Sequence, residues 1–411
     1  MTSTDAPPLR SLEPVLHETT ERLAHECGRP GARAPDWSDF QWCVAQAVAA
    51  MHGISPLLSR RLRWEGPRPW RDFLLDQWRQ TQLRHRRIGQ LLERIDAEAR
   101  AVGLPVLALK GAALHGIGIY EAGMRPMADV DLLVDVREER AATELLARLG
   151  YSETERTRRE RTFAPAATPA ISSLGECANR SVKIELHTRI AERLPVREAD
   201  ITALLLPAHV QGGLLRYRSH AALMTHLLLH AAGNMRIRAL RLVHLNDISA
   251  LAARLGLHDW HEILYGGSSE SGAWWAYPPL ALTARYYPWA IPVDALSAAQ
   301  AVCRPILRAV ARRQTLADVS LSYPWIEFVP GWEWCGSLAE MWRYMRLRTF
   351  PGREGLAEVR QQESSHTWAA SNEWTRLSRP RRVARWLVSK TPRVATMWSV
   401  GEAWRQAGRP L

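Results

Sequence analysis

Apolar residues recur at three-to-four spacing over roughly the first hundred positions, alternate in twos over the next ninety or so, and then return to helical spacing. The first regime predicts a helix over 13–26, then a Gly/Pro loop over 27–35. Phe40, Val44, Ala47, Val48 and Met51 mark the next helix, and Ser55-Pro56 opens a short one. Residues 70–100 read as one long amphipathic helix. Its apolar side carries Phe73, Leu74, Trp78, Leu83, Ile88, Leu91, Leu92 and Ile95, and its Arg, Gln and Glu side is expected to face water.

The middle regime predicts mixed α/β structure. Residues 105–109 read as a strand, 111–120 as a helix, 129–136 as a strand, and 137–149 as a helix closed by Gly150. Stretches 151–157 and 161–164 suit a hairpin. Residues 181–189 alternate cleanly: Val182, Ile184 and Leu186 face one way, and Lys183, Glu185, His187 and Arg189 the other. From about Leu194 strands fade, and helices are expected over 221–232, 237–255, 276–287 and 295–319. The fold class is therefore α+β. A small mixed sheet with helices, residues 101–193, is flanked by a helical region over 1–100 and another over 194–411 that ends in a basic, Trp-rich tail.

Composition adds little to that outline but sharpens one residue. The 411-residue chain has a formal net charge of +12, and its only lysines are Lys110, Lys183 and Lys390. So strong an Arg bias is what a GC-rich coding sequence produces; a basic surface selected by a partner is the other reading. In either case a Lys where a strand feeds a helix suggests a need for a compact ammonium. The five cysteines are scattered with no CxxC pair, so neither a disulfide framework nor a zinc site is indicated. The N-terminus lacks a basic segment followed by an apolar one. No apolar run approaches the ~18 residues of a spanning helix, so a cytoplasmic protein is expected. Nine of the eighteen Trp residues lie beyond residue 323. They suit the core of a helical region coated by Arg, a stacking surface for nucleic acid, or an amphipathic tail at a membrane surface.

The chemistry concentrates in residues 104–136. Asp129 and Asp131 are two apart on a strand and share a face, with Val130, Leu132 and Val134 behind them. Carboxylates on a buried strand are costly unless they are paired or bind cations. Glu185 adds a third acid from a later strand, and three such groups can hold two Mg²⁺ ions that clamp both ends of a phosphoryl displacement. Upstream, the Lys110-Gly111 turn offers a point charge and a close-approaching backbone to a triphosphate.

Lys-Gly at a strand-helix turn, then Tyr120, then R-P-M-A-D-V-D-L-L-V (residues 125–134) and a distant I-E-L-H-T-R (184–189), resembles a family of bacterial nucleotidyltransferases related to the DNA polymerase beta superfamily. The resemblance covers about 103–189 and extends loosely to the helical stretch that holds His230 and Asp247. It implies a polymerase-beta-like core. Asp129, Asp131 and Glu185 would be catalytic metal ligands, Lys110 and Gly111 the phosphate-binding turn, and Arg125 a nucleotide or phosphate contact. The implied activity is Mg-dependent transfer of a nucleotidyl group, with ATP the expected NTP, to a hydroxyl-type acceptor on a small molecule or biosynthetic peptide rather than on nucleic acid. A phosphotransferase of the same fold, or a binding protein that keeps the fold, are the alternatives. Two departures stand out: Lys-Gly where the wider superfamily has Gly-Ser, and Glu185 where Asp is commoner.

Three further features bear on the site. His226 and His230 are one helical turn apart among leucines, as core histidines, as partners of Asp247, or as pocket lining. His187 shares the face of Glu185, where it either orients that acid, touches an acceptor or faces solvent. Gly116-Ile117-Gly118 lies within a helical stretch without a third glycine in register and is set aside as a dinucleotide motif.

Overall fold

The computed structural model describes residues 9–157, 160–165, 173–206, 211–266, 272–327, 329–350, 381, 384 and 391–408. Four helices come first: α1 (Leu9–Gly28), α2 (Asp39–Met51), α3 (Ser55–Arg61) and α4 (Arg68–Ala101). The breaks between them follow from local chemistry. Ser38 and Gln41 form a capping box at the start of α2, and a proline occupies the first turn of α3 and of α4.

The sheet then builds from β1 (Pro105–Ala108), β2 (Asp129–Leu133), β3 (Tyr151–Arg156), β4 (Glu160–Pro165) and β5 (Lys183–His187). Helices α5 (Lys110–Gly116) and α6 (Glu139–Arg148) lie between the first three strands. A separate hairpin, β6 (Ala191–Leu194) with β7 (Arg197–Asp200), leads through α7 (Thr202–Leu205) to β8 (Gly213–Leu215). The six-stranded order is β3-β4-β5-β2-β1-β8. Strand β1 runs antiparallel to β2 and parallel to β8, β2 is parallel to β5, and β3, β4 and β5 alternate in direction.

The two faces of the sheet divide as alternation requires. Val106, Ala108, Val130, Leu132, Ile184 and Leu186 point back onto α4 and α6. On the front, Leu107, Leu109 and Leu133 pack on Leu205 and on Ala222 of helix α8 (His220–Arg236). That leaves the rest of the front, where the acids lie, without an apolar cover. The largest core joins both ends of the chain: Leu16, Val44 and Trp70 share it with Leu228, Leu245, Leu280, Trp334 and Ala403.

The helical expectation for 221–232 holds as part of α8. Residues 237–255 are helical only in α9 (Leu242–Ala252), because Arg238 adopts a positive φ of 59°. Two more helices follow, α10 (Leu257–Tyr265) and α11 (Tyr277–Tyr286). The stretch expected over 295–319 breaks into α12 (Val293–Val302), α13 (Pro305–Ala311) and α14 (Leu316–Val319), with Pro305 starting a fresh first turn. The helix expected over 111–120 stops at Gly116, and Gly118 turns with φ 66°. Strand β8 lies beyond residue 193 yet pairs with β1; three residues are too few to show an alternation.

In the tail, the helix Val394–Gln406 packs on α2, with Trp404 edge-on to Phe40. Trp325 and Trp334 are buried, whereas Trp332 and Trp342 are exposed. Most of the Arg-rich stretch over 376–411 lies outside the described residues. No helix among the described residues is long and apolar enough to cross a membrane.

One expectation about α4 is corrected. Leu83 is exposed, and the buried stripe runs Trp70, Leu74, Gln77, Thr81, Arg84, Ile88, Leu91, Ile95, Ala99. The helical period is intact, but its middle is polar. Arg84, 1% exposed, donates from Nε to Met127 O (2.6 Å), from Nη2 to Ala128 O (2.6 Å) and Ser181 O (3.3 Å), and from Nη1 to Arg180 O (2.7 Å). Glu176 balances its charge at 3.2 Å. Arg84→Met keeps the bulk but leaves these carbonyls and Glu176 without their cation. We expect it to destabilise the protein by about 3–5 kcal/mol in urea denaturation, whereas exposed Arg86→Met should stay within about 0.5 kcal/mol.

Candidate active site

The acidic face is assembled by register. Parallel pairing sets Asp131 against Glu185, Asp129 against Lys183 and Leu133 against His187. Antiparallel pairing then sets Glu160 against His187 and Thr162 against Glu185. Paired positions point to the same side of a sheet, so Asp129, Asp131, Glu185, His187 and Glu160 converge on the front, where Asp131 and His187 are buried and the other three half-buried.

Asp131 is the hub. Its Oδ1 lies 2.7 Å from Lys110 Nζ and 3.1 Å from His187 Nε2. His187 Nε2 is also 4.0 Å from Glu185 Oε2, and its Nδ1 is 3.7 Å from Glu160 Oε2. One ligand atom each from Asp131, Glu185 and His187 lie within 4.8 Å of one another. The residues brought together are thus two of the three expected acids plus a histidine. Asp129 stands beside this group rather than in it.

The acids are held in different charge states. Burial opposes the ionised form of Asp131, but Lys110 and His187 outweigh it and its pKa falls far below the usual carboxylate range. Glu185 has only weaker ones, His187 Nε2 at 4.0 Å and the charge of Lys110. Burial, then the charges of Asp129, Asp131 and Glu160, push its pKa up to about 9. Burial, then Asp131, also raises Asp129, against the pull of Lys110, Arg241 and Arg125. Burial works against the Lys110 ammonium as well, yet Asp131 dominates and its pKa is raised.

Two residues shape the turn that feeds α5. The left-handed backbone sits on Lys110, φ 43°, at a cost of about 1–2 kcal/mol for a residue with a side chain. Gly111 is required for a different reason: a Cβ there would run into the Arg125 guanidinium and the Met127 sulfur. Helix α5 is only seven residues long, so its dipole adds little for an anion.

Arg125 is engaged by Asp247. Its Nε donates to Oδ1 at 2.7 Å and its Nη2 to Oδ2 at 2.6 Å, a bidentate buried pair. Tyr120 donates to the same carboxylate at 2.7 Å, and Asn246 donates to the Tyr120 hydroxyl at 2.7 Å. The histidines do not bond Asp247. His226 Nδ1 lies 2.7 Å from the Tyr217 hydroxyl and His230 Nε2 lies 3.2 Å from the Asn234 amide. Burial, then Lys110, holds both imidazoles neutral. They line a cavity of about 170 Å³ together with Lys110, Glu160, Glu185 and His187. A larger cavity of about 820 Å³ lies between α4, α5, β8 and the start of α8, but none of the acidic-face carboxylates lines it.

A family model described as "Uncharacterised nucleotidyltransferase" matches residues 38–268, more than half the chain. The chain belongs to that family. No curated protein and no solved structure matches it. The nucleotidyltransferase match runs from the start of α2 through α10 and so takes in Arg84, the sheet and Asp247 alike. Sequence reasoning did not find Glu160 or Arg84. The hairpin strand expected over 161–164 stops one residue short of Glu160, which opens the observed strand, and Arg84 looked like one more arginine on a charged helix face.

The Glu185 shift sets a pH dependence. An unfolded Glu ionises near pH 4.5, whereas this one holds its proton to about 9. The folded state therefore binds that proton more tightly, and its stability advantage is lost as pH rises through that window. In metal-free buffer with chelator, wild type should lose stability relative to Glu185→Gln between about pH 5 and pH 9. Urea denaturation curves that keep a constant offset across that range would refute this.

Proposed function

We propose that this nucleotidyltransferase moves a nucleotidyl group, AMP from ATP, onto a hydroxyl of a small-molecule or peptide acceptor. The observation that carries the reading is the convergence of Asp131, Glu185 and His187 beside Lys110, in a chain of this family. Two carboxylates and one imidazole whose ligand atoms lie within 4.8 Å of each other fit a divalent cation. Asp131 and Glu185 would hold Mg²⁺, with Asp129 free to help a second ion and His187 at the edge of the set. When bound, such ions neutralise phosphate charge and lower the pKa of an attacking hydroxyl.

The chain's own residues do the rest. Glu185 would have to be deprotonated to hold a cation, so cation affinity would rise with pH. Lys110 exchanges Asp131 for the donor's phosphates. Arg125 is tied to Asp247, so its role is to hold the Tyr120–Met127 loop over Gly111 rather than to meet the nucleotide with a free fork. His226 and His230 present neutral rings to the small cavity, where an acceptor hydroxyl would approach. An ATP donor is in keeping with a cytoplasmic site of action.

Product analysis with α- and γ-labelled ATP tests the chemistry. The α label should appear in the acceptor; γ label there would make the protein a phosphotransferase, and no transfer of either would favour a binding role. Asp131→Asn should lower turnover by more than about 100-fold, the upper range for groups one layer further from a metal. Activity within a few-fold of wild type would remove Asp131 from the mechanism.

A further inference from the structure

The large cavity between α4, α5, β8 and the start of α8 takes no part in the acidic face, yet one of its walls is not explained by packing. Gly89 sits in the middle of α4 and lines it. Glycine is the least favourable residue after proline in a helix interior. The backbone at Gly89 is helical, so no turn requires it. No close neighbour requires it either: a Cβ there would meet only His115 Nε2, at an ordinary 3.8 Å. What a side chain at Gly89 would occupy is the cavity. Ala112, Ala113 and Gly116 of α5 continue the same low wall. At about 820 Å³ the space falls in the range of about 300–1,000 Å³ usual for small-molecule sites. A helical glycine that the protein's own atoms do not call for is accounted for by a ligand that lies against the backbone there.

The lining describes the occupant. Leu92, Ala108 and Leu223 are buried apolar residues on the cavity wall. Its charges balance: Arg100 pairs with Asp96 at 2.9 Å and Arg218 with Glu262 at 3.1 Å, and the remaining acid and base are the exposed Glu93 and Arg216. Such a lining favours neither an anion nor a cation. His115 lines the cavity, and His85, which does not, stacks on it with ring centroids 3.8 Å apart and planes 26° apart. The Nδ1 of His115 is buried and has no hydrogen-bond partner among the described residues, a state that costs free energy until a partner arrives. Burial, then the charge of His85, lowers the His115 pKa to about 4, so the ring is neutral at physiological pH. A flat neutral ring with one idle nitrogen, beside a low apolar wall, suits another flat ring that carries its own hydrogen-bonding atoms.

We infer that this cavity binds a flat, uncharged heteroaromatic ring of the nucleobase class, packed against the Gly89 wall and hydrogen-bonded to His115 Nδ1. The choice of adenine among nucleobases rests on the nucleotidyl-transfer reading above. The site adjoins the chemistry. Tyr217 lines the large cavity, and its hydroxyl lies 2.7 Å from Nδ1 of His226, which lines the small cavity with Glu185 and His187. Helix α5 likewise gives Lys110 to the small cavity and Ala112 and Ala113 to the large one. The base of the donor nucleotide and a separate nucleoside carry the same ring chemistry, and competition distinguishes them.

Calorimetric titration of the full chain with adenosine tests the inference. Gly89→Leu fills the cavity from a helical position with room for a side chain, and Gly89→Ala is its control. Adenosine binding should be lost in the first and persist in the second, while both unfold at urea concentrations no lower than wild type because each favours the helix. His115→Phe keeps a stacked ring without the nitrogen and should weaken adenosine roughly 10-fold, the worth of one hydrogen bond. No adenosine binding by wild type, or binding unchanged in Gly89→Leu, would overturn the inference. If Gly89→Leu proves unstable in urea, His115→Phe decides: unchanged affinity there overturns the site as well. ATP that competes with adenosine and is weakened by Gly89→Leu places the donor's base in the cavity, whereas ATP that binds equally well beside saturating adenosine makes it a separate nucleoside site. Adenosine binding that follows these expectations without transfer of α label would remove the nucleotidyl-transfer reading and leave the site standing.

Discussion

Two segments distant in sequence come to lie side by side because one buried guanidinium holds both. Arg84 bonds the carbonyls of Met127 and Ala128, just before β2, and those of Arg180 and Ser181, just before β5. Its neighbours on α4 extend the grip: Gln77 accepts from Glu176 N, Gln80 accepts from Ala178 N, and Arg87 donates to Ala178 O. The entrances of β2 and β5 are thereby tied to one rigid helix. That matters because strand register has a period of two. A slip of one residue would turn Asp131 or Glu185 into the apolar face that packs on α4 and α6. The polar middle of α4 thus sets where the carboxylates point.

Once opposed, Asp131 and Glu185 cannot share a charge state. Lys110 and His187 both serve Asp131, and Glu185 is left with acids around it. The face is poised: one carboxylate is ionised and occupied by an ammonium, and the other is protonated at neutral pH. A cation that satisfies both would release the Glu185 proton and free Lys110. The left-handed backbone at Lys110 is the local cost of starting a helix at the point where its ammonium can still reach back to β2.

The working unit is larger than the sheet. Asp247 on α9 fixes Arg125 and Tyr120, and with them the loop that leads into β2. His226 and His230 on α8 wall the small cavity. These helices are placed in turn by the core they share with α1, α2 and the C-terminal helix. The span of the family match, from α2 through α10, follows the same boundary. Removing the flanking helices would strip the acidic face of its orienting groups as well as of stability.

Much of this was legible in the chain itself. Strand alternation placed Asp129 and Asp131 on one face and Glu185 with His187 on another, and helical spacing marked α2 to α4 and α8. Periodicity reports which face of its own element a residue occupies, and that information is local. It does not report which element lies opposite. Only the folded chain set Glu185 against Asp131, added Glu160 through β4, and brought His187 to within 3.1 Å of Asp131. Only the fold buried Arg84, which by sequence is indistinguishable from the solvated arginines around it, and engaged Arg125 with a carboxylate 122 residues away. The residue types that carry the chemistry were thus determined by sequence. Their partners, and hence their charges, were decided by tertiary packing, because Coulomb energies depend on the distance and burial that only neighbouring elements impose.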